Sequence, residues 1–300
     1  MRSSLKLRGA KLRAGLVAAS AAALAAAVAL IPSQSGAAAS HALHAQHASR
    51  GVAAAPKPTI VLEHGAWADG SSWSGVIRRL QNDGYTVVAP PNPLRGLASD
   101  AATLADFLAT IQGPIVLAGH SYGGAVITNA ATGNPNVKAL VYVDAFIPDQ
   151  GENVFALNAA QPGSCLGGDP TKVFNFVPYP GAPAGDFDAY LKPAPDLPYP
   201  GFHDCFANDL PASQAAVLAA TQRPIALSAG SAPSGPPAWK TIPSWALIGT
   251  IDHVIPPAEL VFMANRANAH ITEIRASHLS LISHPAAVED VIVNAARSTS

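Results

Sequence analysis

From residue 59 the chain alternates between short runs rich in Val and Ile and longer stretches of helical period, a rhythm few folds accommodate. The runs are TIVLEH (59–64), YTVVAP (85–90), PIVLAGH (114–120), ALVYVD (139–144), SWALIGT (244–250) and HITEIRA (270–276). Short apolar runs of this kind predict strands buried on both faces. Between the first two runs, Trp73, Val76, Ile77 and Leu80 fall at i, i+3, i+4 and i+7, which predicts a helix. Ser71 or Ser72 is its expected N-cap and Gly84 its expected end. Leu104, Phe107, Leu108 and Ile111 repeat the pattern. The expected fold class is therefore α/β, a mostly parallel, doubly wound sheet covered by helices on both faces.

One stretch breaks the rhythm. Residues 149–238 hold 14 of the 27 prolines and 9 of the 19 aromatic residues, with little regular period. A plain loop of that length is foreign to a compact domain. The segment reads as a cap inserted between a first core part (59–148) and a second (239–300). The chain's two cysteines, Cys165 and Cys205, both fall inside it.

The N-terminus carries a different signal. MRSSLKLRGAKLR holds five basic residues and no acid, and is followed by an apolar run of 17 residues and then IPSQSGAAAS. A basic region, an apolar core and a small-residue cleavage site make residues 1–39 a signal peptide, and the expected location is secreted. Its alanine-rich core is weak for a spanning helix, so no stable membrane insertion is expected after cleavage. In an exported protein two cysteines are expected to pair. Residues 40–58 read as a flexible linker, and His41, His44 and His47 within it lack the carboxylate or thiol that would make them a metal site. Cleavage after residue 39 leaves 261 residues with 13 basic against 19 acidic side chains. No basic stripe exists, so nucleic acid is not an expected partner.

The chemistry concentrates at three places, each just past a predicted strand. In parallel sheets the functional crevice lies at the carboxyl ends of the strands. There Gly119-His120-Ser121-Tyr122-Gly123 fits G-x-S-x-G, a sharp turn that presents a serine hydroxyl at a helix N-terminus. Side chains at 119 and 123 would collide with backbone as the chain reverses. A serine hydroxyl needs a base to take its proton and an acid to orient that base. Asp252 follows the strand SWALIGT, and His278 follows the last strand, in the order Ser, Asp, His. Asp144 is the rival acid, since it too ends a strand, and Asp252 has an alternative as a helix cap. His120, His253, His270 and His284 are weaker candidates for the base, by adjacency to the serine or acid or by place in the chain. A tetrahedral intermediate needs two N–H donors. Tyr122 N–H is one; Ala66 N–H is the expected second, with Trp67 either the alternative donor or a wall of the substrate pocket.

The segments LEHGAWADGSSW, GHSYGG, GTIDHVIPP and SHLSLISHP together resemble the α/β-hydrolase fold superfamily. Within it the chain is most similar to small serine esterases related to plant methylesterases and hydroxynitrile lyases, over residues 59 to 297. The resemblance implies a catalytic triad of Ser121, Asp252 and His278, oxyanion donors Ala66 and Tyr122, no metal or other cofactor, and a small-molecule ester as substrate. Aromatic residues of the cap, among them Phe174 and Phe206, suit an apolar or aromatic ester. A lyase with the same triad is the alternative; it typically adds a cap lysine, and Lys172 and Lys192 are the two cap lysines. A ligand-binding protein without catalysis is another. Glu63 departs from the family pattern, where an apolar residue is usual, and a carboxyl so placed needs a partner or a raised pKa.

Overall fold

A computed structural model describes residues 57–193 and 199–299. The expected signal peptide, all but the last two residues of the expected linker, and His41, His44 and His47 lie outside the described residues.

Nine strands are present among the described residues: β1 (Thr59–Glu63), β2 (Val87–Val88), β3 (Ile115–His120), β4 (Val137–Val143), β5 (Phe174–Val177), β6 (Asp188–Leu191), β7 (Ile225–Ala226), β8 (Ser244–Gly249) and β9 (His270–Ile274). Six form one sheet in the order β2-β1-β3-β4-β8-β9, and every neighbouring pair is parallel. The central strands follow from their composition. Ile60, Val61 and Leu62, Ile115 to Ala118, and Ala139 to Val143 are essentially buried, and burying each large aliphatic side chain contributes about 1.5–3 kcal/mol. The helix Ser74–Asn82 packs against Pro285–Arg297, and Leu97–Ala109 against Tyr122–Ala130. The two edges are weaker. Only Val87 and Val88 of the run 85–90 pair, and β9 is largely exposed along its length.

The first helix begins differently from the sequence expectation. Its cap is neither Ser71 nor Ser72 but Asp69, whose carboxylate accepts the Ser71 N–H at 2.7 Å and starts a 3-10 turn, Gly70–Trp73. That extra turn brings Trp73 into the core ahead of the α-helix proper. Gly84, at φ 77°, ends the helix.

Between β4 and β8 the chain forms a second, antiparallel sheet of β5, β6 and β7 together with short helices. This insertion contains a disulfide between Cys165 and Cys205. Closing a 40-residue separation contributes about 4 kcal/mol by restricting the unfolded chain. Among the described residues, no helix is long and apolar enough to cross a membrane.

The strand order reverses at β1 and β3, because β2 lies to one side of β1 and β3 to the other. The crevice of such a sheet opens at the carboxyl ends of those two strands. The loop after β1 and the turn after β3 therefore face each other.

Candidate active site

Ser121 is the first residue after β3, at φ 54° and ψ −125°, a region that non-glycine residues seldom occupy. The surrounding packing holds it there. The Ser121 carbonyl accepts from Gly124 N at 2.9 Å and Phe146 N at 3.2 Å. A Cβ at residue 119 would stand 2.6 Å from the Gly123 carbonyl oxygen, and one at residue 123 would stand 2.7 Å from that of Glu63. Glycine at both positions lets strand and helix cross at this distance.

The loop after β1 lies against the serine: a Cβ on Gly65 would be 2.7 Å from Ser121 Cβ. His64 and Asn92 fasten that loop from behind. Asn92 N donates to His64 Nε2 at 3.0 Å, and Asn92 Nδ2 donates to the His64 carbonyl at 2.9 Å. The two candidate donors differ in commitment. Trp67 N–H donates to the Arg223 carbonyl at 2.9 Å and so is taken. Ala66 N–H and Tyr122 N–H donate to no acceptor among the described residues, and both residues border the same cavity as Ser121. The Tyr122 side chain points elsewhere, its hydroxyl donating to Asp100 at 2.8 Å.

His278 and Asp252 are fully buried and joined, Nδ1 to Oδ2 at 2.8 Å. The other oxygen of Asp252 accepts Val254 N at 2.7 Å and Ile255 N at 3.0 Å. Asp252 thus anchors its own loop and is not the cap of the helix Pro257–Arg266. Nδ1 is occupied, which leaves Nε2 of His278 as the basic nitrogen; it has no partner among the described residues. Burial pushes the imidazole well below its ordinary pKa, so the neutral form is favoured.

Asp144 does not reach the histidine. Its carboxylate accepts Gly249 N at 2.6 Å and the Ser280 hydroxyl, tying the end of β8 to the helix after His278. Burial and the nearby Asp252 push its pKa up. Among the other histidines, His270 sits exposed at the start of β9 against Trp245, and His284 begins the last helix half-exposed. His120 has a role that adjacency alone hid. Its Nε2 donates to the His278 carbonyl at 2.8 Å, and the two rings lie 4.8 Å apart. A residue 158 positions away leaves no local sequence signal of that contact. Glu63 is buried, and burial with the neighbouring Asp100 charge pushes its carboxyl well up, toward the neutral form.

A cavity of about 280 Å³ opens on Ser121. Trp67, Phe155, Leu166 and Phe174 are among its walls, and no charged side chain lines it among the described residues. Trp67 presents its ring, since its Nε1 is engaged by the Ala189 carbonyl at 2.8 Å. Phe174 stacks on that ring at 5.7 Å and Phe206 meets it edge-on at 5.4 Å. Lys172 and Lys192 do not line the cavity.

A family model described as alpha/beta hydrolase family matches residues 60–291. A carbendazim hydrolyzing esterase from Nocardioides sp. (strain SG-4G) is 34% identical over 111 residues, 33% of this chain and 46% of that protein. The chain thus spans about half the length of the curated relative it matches. A pyrethroid hydrolase from Sphingobium faniae JZ-2 superposes with a TM-score of 0.61 at 22% identity, covering 80% of this chain and 98% of the other. A methylesterase from Arabidopsis superposes with a TM-score of 0.64 at 14% identity, covering 80% and 99%. These two share the fold. With strand order, serine turn and family match in agreement, the chain belongs to the alpha/beta hydrolase family.

Proposed function

We propose that this protein is an exported serine hydrolase that cleaves a small, neutral, apolar carboxylic ester through an acyl-enzyme. The observation that carries the reading is the convergence of Ser121, two uncommitted N–H donors and an uncharged cavity, with a buried His278–Asp252 pair at the neighbouring strand ends. In this reading Ser121 Oγ attacks the ester carbonyl and His278 Nε2 takes its proton. Asp252 holds the imidazole in the tautomer whose Nε2 is free to accept. Ala66 and Tyr122 N–H groups receive the oxyanion. The imidazolium then protonates the departing alcohol, and water, activated by the same nitrogen, releases the acid and restores the serine.

The name of the matched Nocardioides relative, an esterase, supports the reaction class. Among the described residues no lysine lines the cavity, which favours hydrolysis over the lyase alternative. The leader-like composition of residues 1–39 and the Cys165–Cys205 bond both fit export, where disulfides persist.

Fluorophosphonate labelling with hydrolysis of p-nitrophenyl acetate and butyrate tests the proposal. Label is expected on Ser121 alone, and Ser121→Ala is expected to reduce hydrolysis by at least about 10⁴-fold while remaining folded. Label on another residue, or an unlabelled protein that binds esters without turnover, would overturn it.

A further inference from the structure

The loop that carries Asp252 is held from two sides. The core supplies one: Ile251 N donates to the Ala276 carbonyl at 3.2 Å, and Asp252 N to that of Gly249 at 3.2 Å. The insertion supplies the other. The carbonyls of Ile251, His253 and Val254 all accept from it: Asn208 Nδ2 at 3.0 Å, Cys165 N at 2.6 Å and Ser164 Oγ at 2.7 Å. The His253 ring stacks on Tyr199 at 3.9 Å, and its Nδ1 donates to the Asp204 carbonyl at 2.7 Å. The next residue after Asn208 reaches the other catalytic loop. Asp209 Oδ2 accepts the N–H of Ser277, the neighbour of His278, at 3.0 Å.

These donors and acceptors come from two stretches of the insertion, 164–165 and 204–209, and the Cys165–Cys205 bond joins one to the other. We propose that this disulfide-closed pair of stretches is a clamp that positions the acid and base loops, with Asn208 as a positioning residue for Asp252. The inference rests on the serine-hydrolase reading above. Hydrogen-bonding partners orient the Asn208 side chain: only its amide nitrogen can donate to the Ile251 carbonyl. The clamp differs from a merely stabilising crosslink because each of its bonds ends within two residues of Asp252 or His278. The insertion then serves two ends, walling the cavity and aligning the proton relay. A misplacement of about 1 Å in such a relay costs on the order of 10²-fold.

The test compares Asn208→Ala and the double variant Cys165→Ser/Cys205→Ser with the full-length wild type, using p-nitrophenyl butyrate. Both are expected to lower kcat by about ten- to hundredfold with KM changed little. The acid limb of the pH–rate profile should also rise toward the ordinary imidazole range, because a loosened loop admits water to His278. The ionisable groups around that pair are His120 from β3, Asp144 after β4, His253 in the acid loop and Asp209 from the insertion. Neither variant removes any of them, so a moved limb reports hydration and geometry. Unchanged kcat and unchanged acid limb in folded variants would overturn the clamp, as would a rise in KM alone, which would confine the insertion to shaping the cavity. If the double variant fails to fold, Asn208→Ala, which keeps the disulfide, decides. A wild type without esterase activity would instead overturn the reading on which the clamp rests.

Discussion

The parallel core and the insertion reach stability by different means. The core strands are buried because helices cover both faces, and a run such as Ile115 to Ala118 needs no polar side to be stable there. The insertion has strands of four, four and two residues, too short to bury a comparable core. It relies on a disulfide, on aromatic contacts such as Phe202 with Phe206 at 5.0 Å, and on bonds to the core loops. The difference separates tasks. A rigid sheet holds Ser121 in a strained backbone conformation, while the insertion supplies an apolar wall and fastens loops that the sheet leaves at its rim.

The sharpest way to break this division is at the proposed acid, Asp252. Asp252→Asn is expected to lose about 10⁴-fold in kcat, the size of the tautomer effect in serine proteases with this triad. Asp144→Asn is expected to lose tenfold or less, because the amide oxygen still accepts Gly249 N and the Ser280 hydroxyl can rotate to accept the new N–H. Steady-state kinetics on both variants decides the matter. A crippled Asp144→Asn beside a mild Asp252→Asn would move the acid to the end of β4.

Stability gives the next contrast. Leu117→Ala in β3, where the side chain is fully buried, should cost about 2–5 kcal/mol in urea unfolding. Val177→Ala in β5, 43% exposed, should stay within about 0.5 kcal/mol. Equal losses would mean that burial does not set the difference between the two positions. The smallest expected effect is on pH dependence. In the proposed mechanism His278 must be neutral to accept the serine proton, and burial lowers its pKa. The acid limb of kcat/KM should therefore lie below the ordinary imidazole value of about 6.5. A limb at or above that value would show that the pairing with Asp252 outweighs burial.

Much of the core was legible because its signals are local. Strand runs, helical spacing and the strand-turn-helix context of Ser121 depend on residues a few positions apart. The short strands of the insertion escaped notice since four residues carry no measurable period, and β6 depends on β5 and β7 for its hydrogen bonds. Asp69 escaped as a cap because the 3-10 turn it starts lies ahead of the periodic stripe.

Within the candidate site the same boundary appears. The sequence alone determined that a serine stands at a strand-to-helix turn, with an aspartate and a histidine following later strands in order. Turn chemistry and hydrophobic period are properties of neighbouring residues. Three further matters were decided by tertiary structure: that Asp252 and not Asp144 contacts His278, that Trp67 N–H is spent on Arg223, and that His120 packs against His278. Each is a contact between residues at least 20 positions apart. Its distance is set by how sheet, helices and insertion pack, which no local pattern encodes.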